Sequence, residues 1–320
     1  MISIQEQIAQ NKRRTWLLIL LFPAVFAVVT VGVLWVLVNM LGWQTAQSSS
    51  GQPWLYALPV LCWLAAMAWI AISYFKGDKL LLNSADAIPV TQQDQPEIYN
   101  LVENLCINRG LPLPRIYIMD DNSLNAFATG RDPQHASVAL TKGIVKKLNR
   151  EELEGVISHE LSHVENRDIR LMLLTVAGIS FFTFVGEICL KVGAASRYSR
   201  NNGNQGGASG IFFILGIICS LYGLVFAPLI RLAISRQREY LADATGASMT
   251  HNPYALASAL RKISGDSRVE ALDRRASMAA MCIENPLAKN NLFSWMTGLL
   301  ATHPPIEKRI AALEQMPGGY

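Results

Sequence analysis

Residues 154–179 read EGVISHELSHVENRDIRLMLLTVAGI, and this stretch decides how the chain is understood. Its first half holds His159-Glu160-Leu161-Ser162-His163; its second half, from Leu171, is uninterrupted apolar sequence. On a helix, residues four apart lie about 40° from one another in projection. His159 and His163 can therefore offer imidazole nitrogens to a single ion. Glu160 lies about 60° from His163, within reach of a water held by that ion without being a ligand. This is the logic of H-E-x-x-H: two ligands, one base and one divalent ion.

A catalytic zinc takes three protein ligands and keeps one position open. The metzincin extension would need glycine at 166 and histidine at 169, but Asn166 and Ile169 stand there. The third ligand is then expected to be a carboxylate from another helix. The segment Ser235-Arg236-Gln237-Arg238-Glu239-Tyr240-Leu241-Ala242-Asp243 supplies a second i, i+4 pair. Glu239 is assigned to the metal. Asp243 is expected to hydrogen-bond the far nitrogen of His159 and fix its tautomer.

Composition points to a bilayer. The 320 residues are 51% hydrophobic and only 16% charged, against about 25% in soluble domains. The net charge of +4 is modest, and the basic residues flank apolar runs instead of forming a stripe, so nucleic acid is not an expected partner. The five cysteines form no C-x-x-C pair, which argues against both a disulfide framework and thiolate ligation.

A hydrocarbon core of about 30 Å needs roughly 20 apolar residues of helix. Residues 15–41 and 54–75 are charge-free and are expected to cross. Residues 171–195 begin apolar but carry Glu187 and Lys191; residues 209–230 are charge-free again. Lys12, Arg13 and Arg14 precede the first run and Lys76 and Lys79 follow the second, which places the termini and central segment in the cytoplasm. His163 and Glu239 must meet on one side, so the chain between them crosses an even number of times.

The expected organisation is a membrane region (1–75), a cytosolic catalytic part (76–170), a membrane hairpin (171–230) and a second cytosolic catalytic part (231–320). The fold class is α+β and mainly helical, an integral membrane protein with about four transmembrane helices and a small β-sheet. Within 76–170, Gln95–Arg109 and Asn149–Asp168 read as helices, the latter capped by Asn149. Arg115–Met119 and Ala136–Leu140 read as short strands.

Together these pieces resemble the HtpX-type membrane zinc endopeptidases, related to the prenyl-protein (CAAX) endopeptidases. The resemblance is carried by Asn122-Ser123-Leu124-Asn125-Ala126-Phe127-Ala128-Thr129-Gly130, by Glu151-Glu152-Leu153 leading into the histidine pair, by Arg236–Asp243, and by Thr302-His303-Pro304-Pro305-Ile306-Glu307-Lys308-Arg309. It implies a gluzincin-type protease domain on the cytoplasmic face of the inner or plasma membrane, with one zinc per chain, cutting membrane or misfolded proteins in quality control. It also implies that Asn125, Ala126, Phe127 and Ala128 form an edge strand that pairs with substrate backbone. His303 and Arg309 are implied to lie near the zinc, where a cationic donor could stabilise the oxyanion. Two rival functions are a prenyl-protein processing protease and a membrane scaffold whose zinc is structural.

Overall fold

The computed structural model describes residues 53–198, 236–264 and 304–316, with isolated positions elsewhere. Apart from such positions, the runs 15–41 and 209–230 lie outside the described residues, as does His303. The chain divides into two units, one of residues 1–12, 74–176 and 230–320, the other of residues 13–73 and 177–229.

The first unit is built on a four-stranded sheet. Its strands are β1 (Ala87–Pro89), β2 (Arg115–Met119), β3 (Ala126–Gly130) and β4 (Ala136–Thr141), in the order β1-β2-β4-β3. β2 and β4 run parallel, with Arg115 opposite Ser137, while β1 and β3 are antiparallel to their neighbours. Helices α1 (Pro53–Ser84) and α2 (Pro96–Arg109) come before β2 in the chain. α3 (Lys142–Lys147), α4 (Arg150–Glu165), α5 (Asp168–Tyr198), α6 (Arg236–Thr250), α7 (Pro253–Ile263) and α8 (Ile306–Glu314) follow β4. Mostly helical, with a small mixed sheet, the fold agrees with the sequence expectation.

The core of this unit joins Leu101 and Leu105 of α2, Val138 and Leu140 of β4, Val156, Ile157 and Leu161 of α4, and Leu256 and Leu260 of α7. α4 starts where the sequence places it. Asn149 accepts a hydrogen bond from the Glu152 amide at 2.9 Å, and Glu152 accepts one from the Asn149 amide at 2.9 Å, a reciprocal capping box. Glu152 is also gripped from α7, by Ser258 Oγ and Lys262 Nζ, each at 2.7 Å. One carboxylate thus starts the metal-binding helix and ties it to its neighbour.

The expected helix 149–168 does not run unbroken. Arg167 adopts φ 58°, a left-handed turn that ends α4 and lets α5 begin at Asp168. In a continuous helix Asp168 would lie about 140° round from His163. The break is what returns it.

In the second unit Ala66 and Phe181 pack together with Trp69, Ile70 and Val185, and Trp69 Nε1 donates to the Ala177 carbonyl at 3.0 Å. Cys106, Cys189 and Cys219 are buried. Among the described residues, no helix is long and apolar enough to cross a membrane.

Gly246 on α6 sets the approach of α6 to α4. A Cβ there would lie 3.0 Å from the backbone nitrogen of His159 and 3.1 Å from Ser158 Oγ. Glu239, Asp243 and Gly246 share one helical face, so pressure at 246 reaches the metal ligands directly. Gly246→Ala is expected to lower stability by about 1–3 kcal/mol through overpacking and to weaken metal affinity. Thermal unfolding with and without a chelator checks both; an unchanged metal affinity would show that this close approach is not needed.

Candidate metal centre

α4 and α6 bring His159, His163 and Glu239 together. One ligand atom from each lies within 4.8 Å of the others, and all three residues are buried. Among the described residues no fourth histidine, cysteine or carboxylate joins them. The Nε2 atoms of the two histidines are 3.3 Å apart, with the rings at 90°. The Glu239 carboxylate stands 3.7 Å from His163 Nε2 and 3.9 Å from His159 Nε2.

The far side of each ring explains why these atoms converge. His159 Nδ1 is 3.0 Å from Asp243 Oδ1, and His163 Nδ1 is 3.0 Å from Asp168 Oδ2. A carboxylate can only accept, so each Nδ1 carries a proton, and once His163 gives up its second proton each Nε2 presents a lone pair. Two lone pairs facing each other beside a carboxylate demand a cation between them. The donor set of two imidazoles and one carboxylate suits zinc and leaves a coordination position open.

The carboxylates behind the rings are themselves held. Asp243 receives two hydrogen bonds from Arg309, from Nε at 2.8 Å and from Nη2 at 2.7 Å. Asp168 receives one from Arg238 Nη1 at 3.1 Å. Burial works against the charge on Asp243, but Arg309 and the His159 hydrogen bond overcome it and hold its pKa at about 2. The Arg309 guanidinium is raised above its ordinary value, its burial outweighed by Asp243, Glu239 and Glu160.

The sequence expectation of Asp243 behind His159 matches this geometry. Asp168 and Arg238 were missed. Helical periodicity takes Asp168 as the end of a continuous helix, although a short acidic side chain three residues before the apolar run from Leu171 is a pattern that starts helices. Arg309 is near the site, with Nη2 3.4 Å from His159 Nε2, but its guanidinium binds Asp243. Glu160 is buried next to His159 in the chain.

β3 stands at the end of the sheet, beyond β4. Thr141 N donates to Asn125 O at 3.0 Å, so by ladder alternation the backbone groups of Ala126 and Ala128 turn away from β4. The Ala126 amide is taken by the Asn125 side chain at 2.9 Å. Ala126, Phe127 and Ala128 are 0%, 2% and 3% exposed, so this edge is covered.

Comparison with known proteins gives the family. Residues 92–317 match peptidase family M48. The chain is 41% identical over 321 residues to a "Protease HtpX homolog" of Bacteroides fragilis, covering 98% of this chain and 99% of that one. It is 39% identical over 319 residues to another from Caldanaerobacter subterraneus subsp. tengcongensis, covering 98% of each. Among solved structures it is similar to Ste24p of S. mikatae, with TM-score 0.45 and 18% identity, covering 88% of this chain and 66% of that one.

His163 sets the pH behaviour of the metal-free protein. Burial opposes its charging, yet the Asp168 hydrogen bond and the charges of Glu239, Asp168 and Glu160 hold its pKa at about 9, above the ordinary 6.5. Its stabilising charge is fully present below pH 6.5 and is lost as pH rises through about 9. Metal loading must expel that proton. The gap in Tm between metal-loaded and chelated protein is therefore expected to widen from pH 6.5 towards 9. A constant gap would contradict the shared occupancy of one site by proton and metal.

Proposed function

The chain belongs to peptidase family M48 and is a metalloprotease, and from that premise we propose that it is a membrane-bound zinc endopeptidase whose metal ligands are His159, His163 and Glu239. The observation that carries the proposal is the pair of Nε2 lone pairs 3.3 Å apart with Glu239 beside them. Bound there, zinc would supply Lewis acidity, making water acidic enough to attack and polarising the scissile carbonyl.

The remaining work falls to the chain's own residues. Glu160 accepts a proton from the attacking water and delivers it to the leaving nitrogen. Asp243 and Asp168 hold the two rings with their Nε2 atoms free. Arg309 anchors Asp243 as a positioning residue; with its guanidinium so engaged, it is a weak candidate for contact with an oxyanion. His303 is the remaining candidate for that contact. The Ala126 carbonyl and the Ala128 backbone groups face away from β4 and would suit an extended substrate, giving affinity with little sequence selectivity.

Membrane residence is supported by the charge-free run 54–75 and by side chains unsuited to water. Val60, Leu61 and Leu64 on α1 and Phe184 and Ile188 on α5 are large, apolar and exposed. A cytoplasmic orientation of the catalytic residues follows from the basic residues flanking the apolar runs. Membrane or misfolded proteins are the proposed substrates. A scaffold with structural zinc would need a fourth protein ligand, and none joins the group among the described residues.

Glu160→Gln is expected to keep stoichiometric zinc while losing about 10²–10⁴-fold or more in casein cleavage. Retained proteolysis in that variant would remove Glu160 from its role. A prenylated peptide cleaved in preference to an unfolded membrane protein would favour the processing reading instead.

A further inference from the structure

A cavity of about 400 Å³ opens in the first unit, between the end of α1 and the β3–β4 connection. It is lined by three permanent cations, Lys79, Arg115 and Arg131, and by Asp78, the sole carboxylate among its lining residues. Asp78 accepts a 2.6 Å hydrogen bond from Arg115. Lys79 makes no ion pair among the described residues. Positive charge therefore exceeds negative within the lining.

The connection shapes this charge. Asp132 accepts from His135 Nδ1 at 2.6 Å, so the His135 Nε2 is left to accept from Arg131 Nη2 at 2.8 Å. That pairing orients Arg131. Asp132 also lies 3.5 Å from Arg131 Nε, which offsets part of the excess. The Arg131 guanidinium lies over the Phe75 ring, 5.5 Å from its centroid. Arg170 likewise lies over Tyr74 at 5.7 Å and donates to the Arg131 carbonyl at 2.6 Å. Two arginines are thus held over aromatic rings, a contact that restrains side chains that would otherwise sweep through solvent.

We propose that this cavity binds a phosphate ester, with Lys79, Arg115 and Arg131 as its cationic contacts. The volume exceeds what one phosphate fills and leaves space for an attached polyol. Tyr74 and Phe75 end the charge-free run 54–75 and Lys76 and Lys79 follow immediately, an order of aromatic then basic residues that marks the level of lipid headgroups. The phosphate could belong to such a headgroup or to a soluble sugar or glycerol phosphate. The proposal does not depend on the metal centre, which shares none of these residues.

The test is binding to the full chain in neutral detergent, read by native mass spectrometry and by thermal unfolding. One arm titrates phosphatidylglycerol against phosphatidylcholine; the other titrates glycerol 3-phosphate. Lys79→Ala and Arg131→Gln are each expected to raise the half-saturating concentration about fivefold or more, while Lys147→Ala, an exposed charge on α3, leaves it unchanged. Selective loss in the lipid arm supports the site and assigns the phosphate to a headgroup; selective loss in the soluble arm supports it with a soluble ligand. If Lys79→Ala and Arg131→Gln both bind like wild type in both arms, or wild type binds neither probe, the proposal fails. Lys79→Ala removes no described contact, so its result does not hinge on refolding of the connection.

Discussion

Two imidazole Nε2 atoms pointed at each other across 3.3 Å are the constraint around which the catalytic unit is built. Left alone in a buried, low-dielectric site they would be unfavourable, and a nearby carboxylate makes the point strongly attractive to positive charge. Each ring is forced into this state from behind, by Asp243 for His159 and Asp168 for His163. The Nδ1 side of each ring is therefore committed by the fold, so that each Nε2 is left for a proton or a metal.

That arrangement explains features that would otherwise look unrelated. The left-handed turn at Arg167 is unfavourable for a residue with a side chain, by about 1 kcal/mol or more. It brings Asp168 back over His163, where a straight helix would carry it away. Gly246 removes a side chain where α6 meets the backbone of His159. Arg309 and Arg238 are buried cations, and each is placed against the carboxylate that orients one histidine. A buried charge without a partner is strongly destabilising, so removal of either arginine would act on its carboxylate first and on the ring second.

Much of this was legible in the sequence, for identifiable reasons. Helical spacing alone pairs His159 with His163 and Glu239 with Asp243. Asn149 followed three residues later by Glu152 reads directly as a cap, and short apolar runs between turn residues give strands at Arg115–Met119 and Ala136–Leu140, the latter one residue short of β4. What could not be read depends on tertiary placement. Asp168 lies five residues from His163, off its helical face, and becomes its partner only through the break. Nothing in the local pattern of Arg238 names Asp168, 70 residues away. β1 is three residues long and owes its pairing to β2. Arg309 was placed near the metal by resemblance, while its grip on Asp243 rests on how α8 packs.

The central claim is that two nitrogens from α4 and one carboxylate from α6 hold a single divalent ion. X-ray absorption at the zinc edge of proteolytically active protein, with zinc counted per chain, tests it most directly. The account predicts one zinc per chain, a first shell of nitrogen and oxygen with two imidazole signatures, and loss of one oxygen scatterer in Glu239→Ala. Sulfur in the first shell, four protein ligands, or active protein without stoichiometric metal would contradict it.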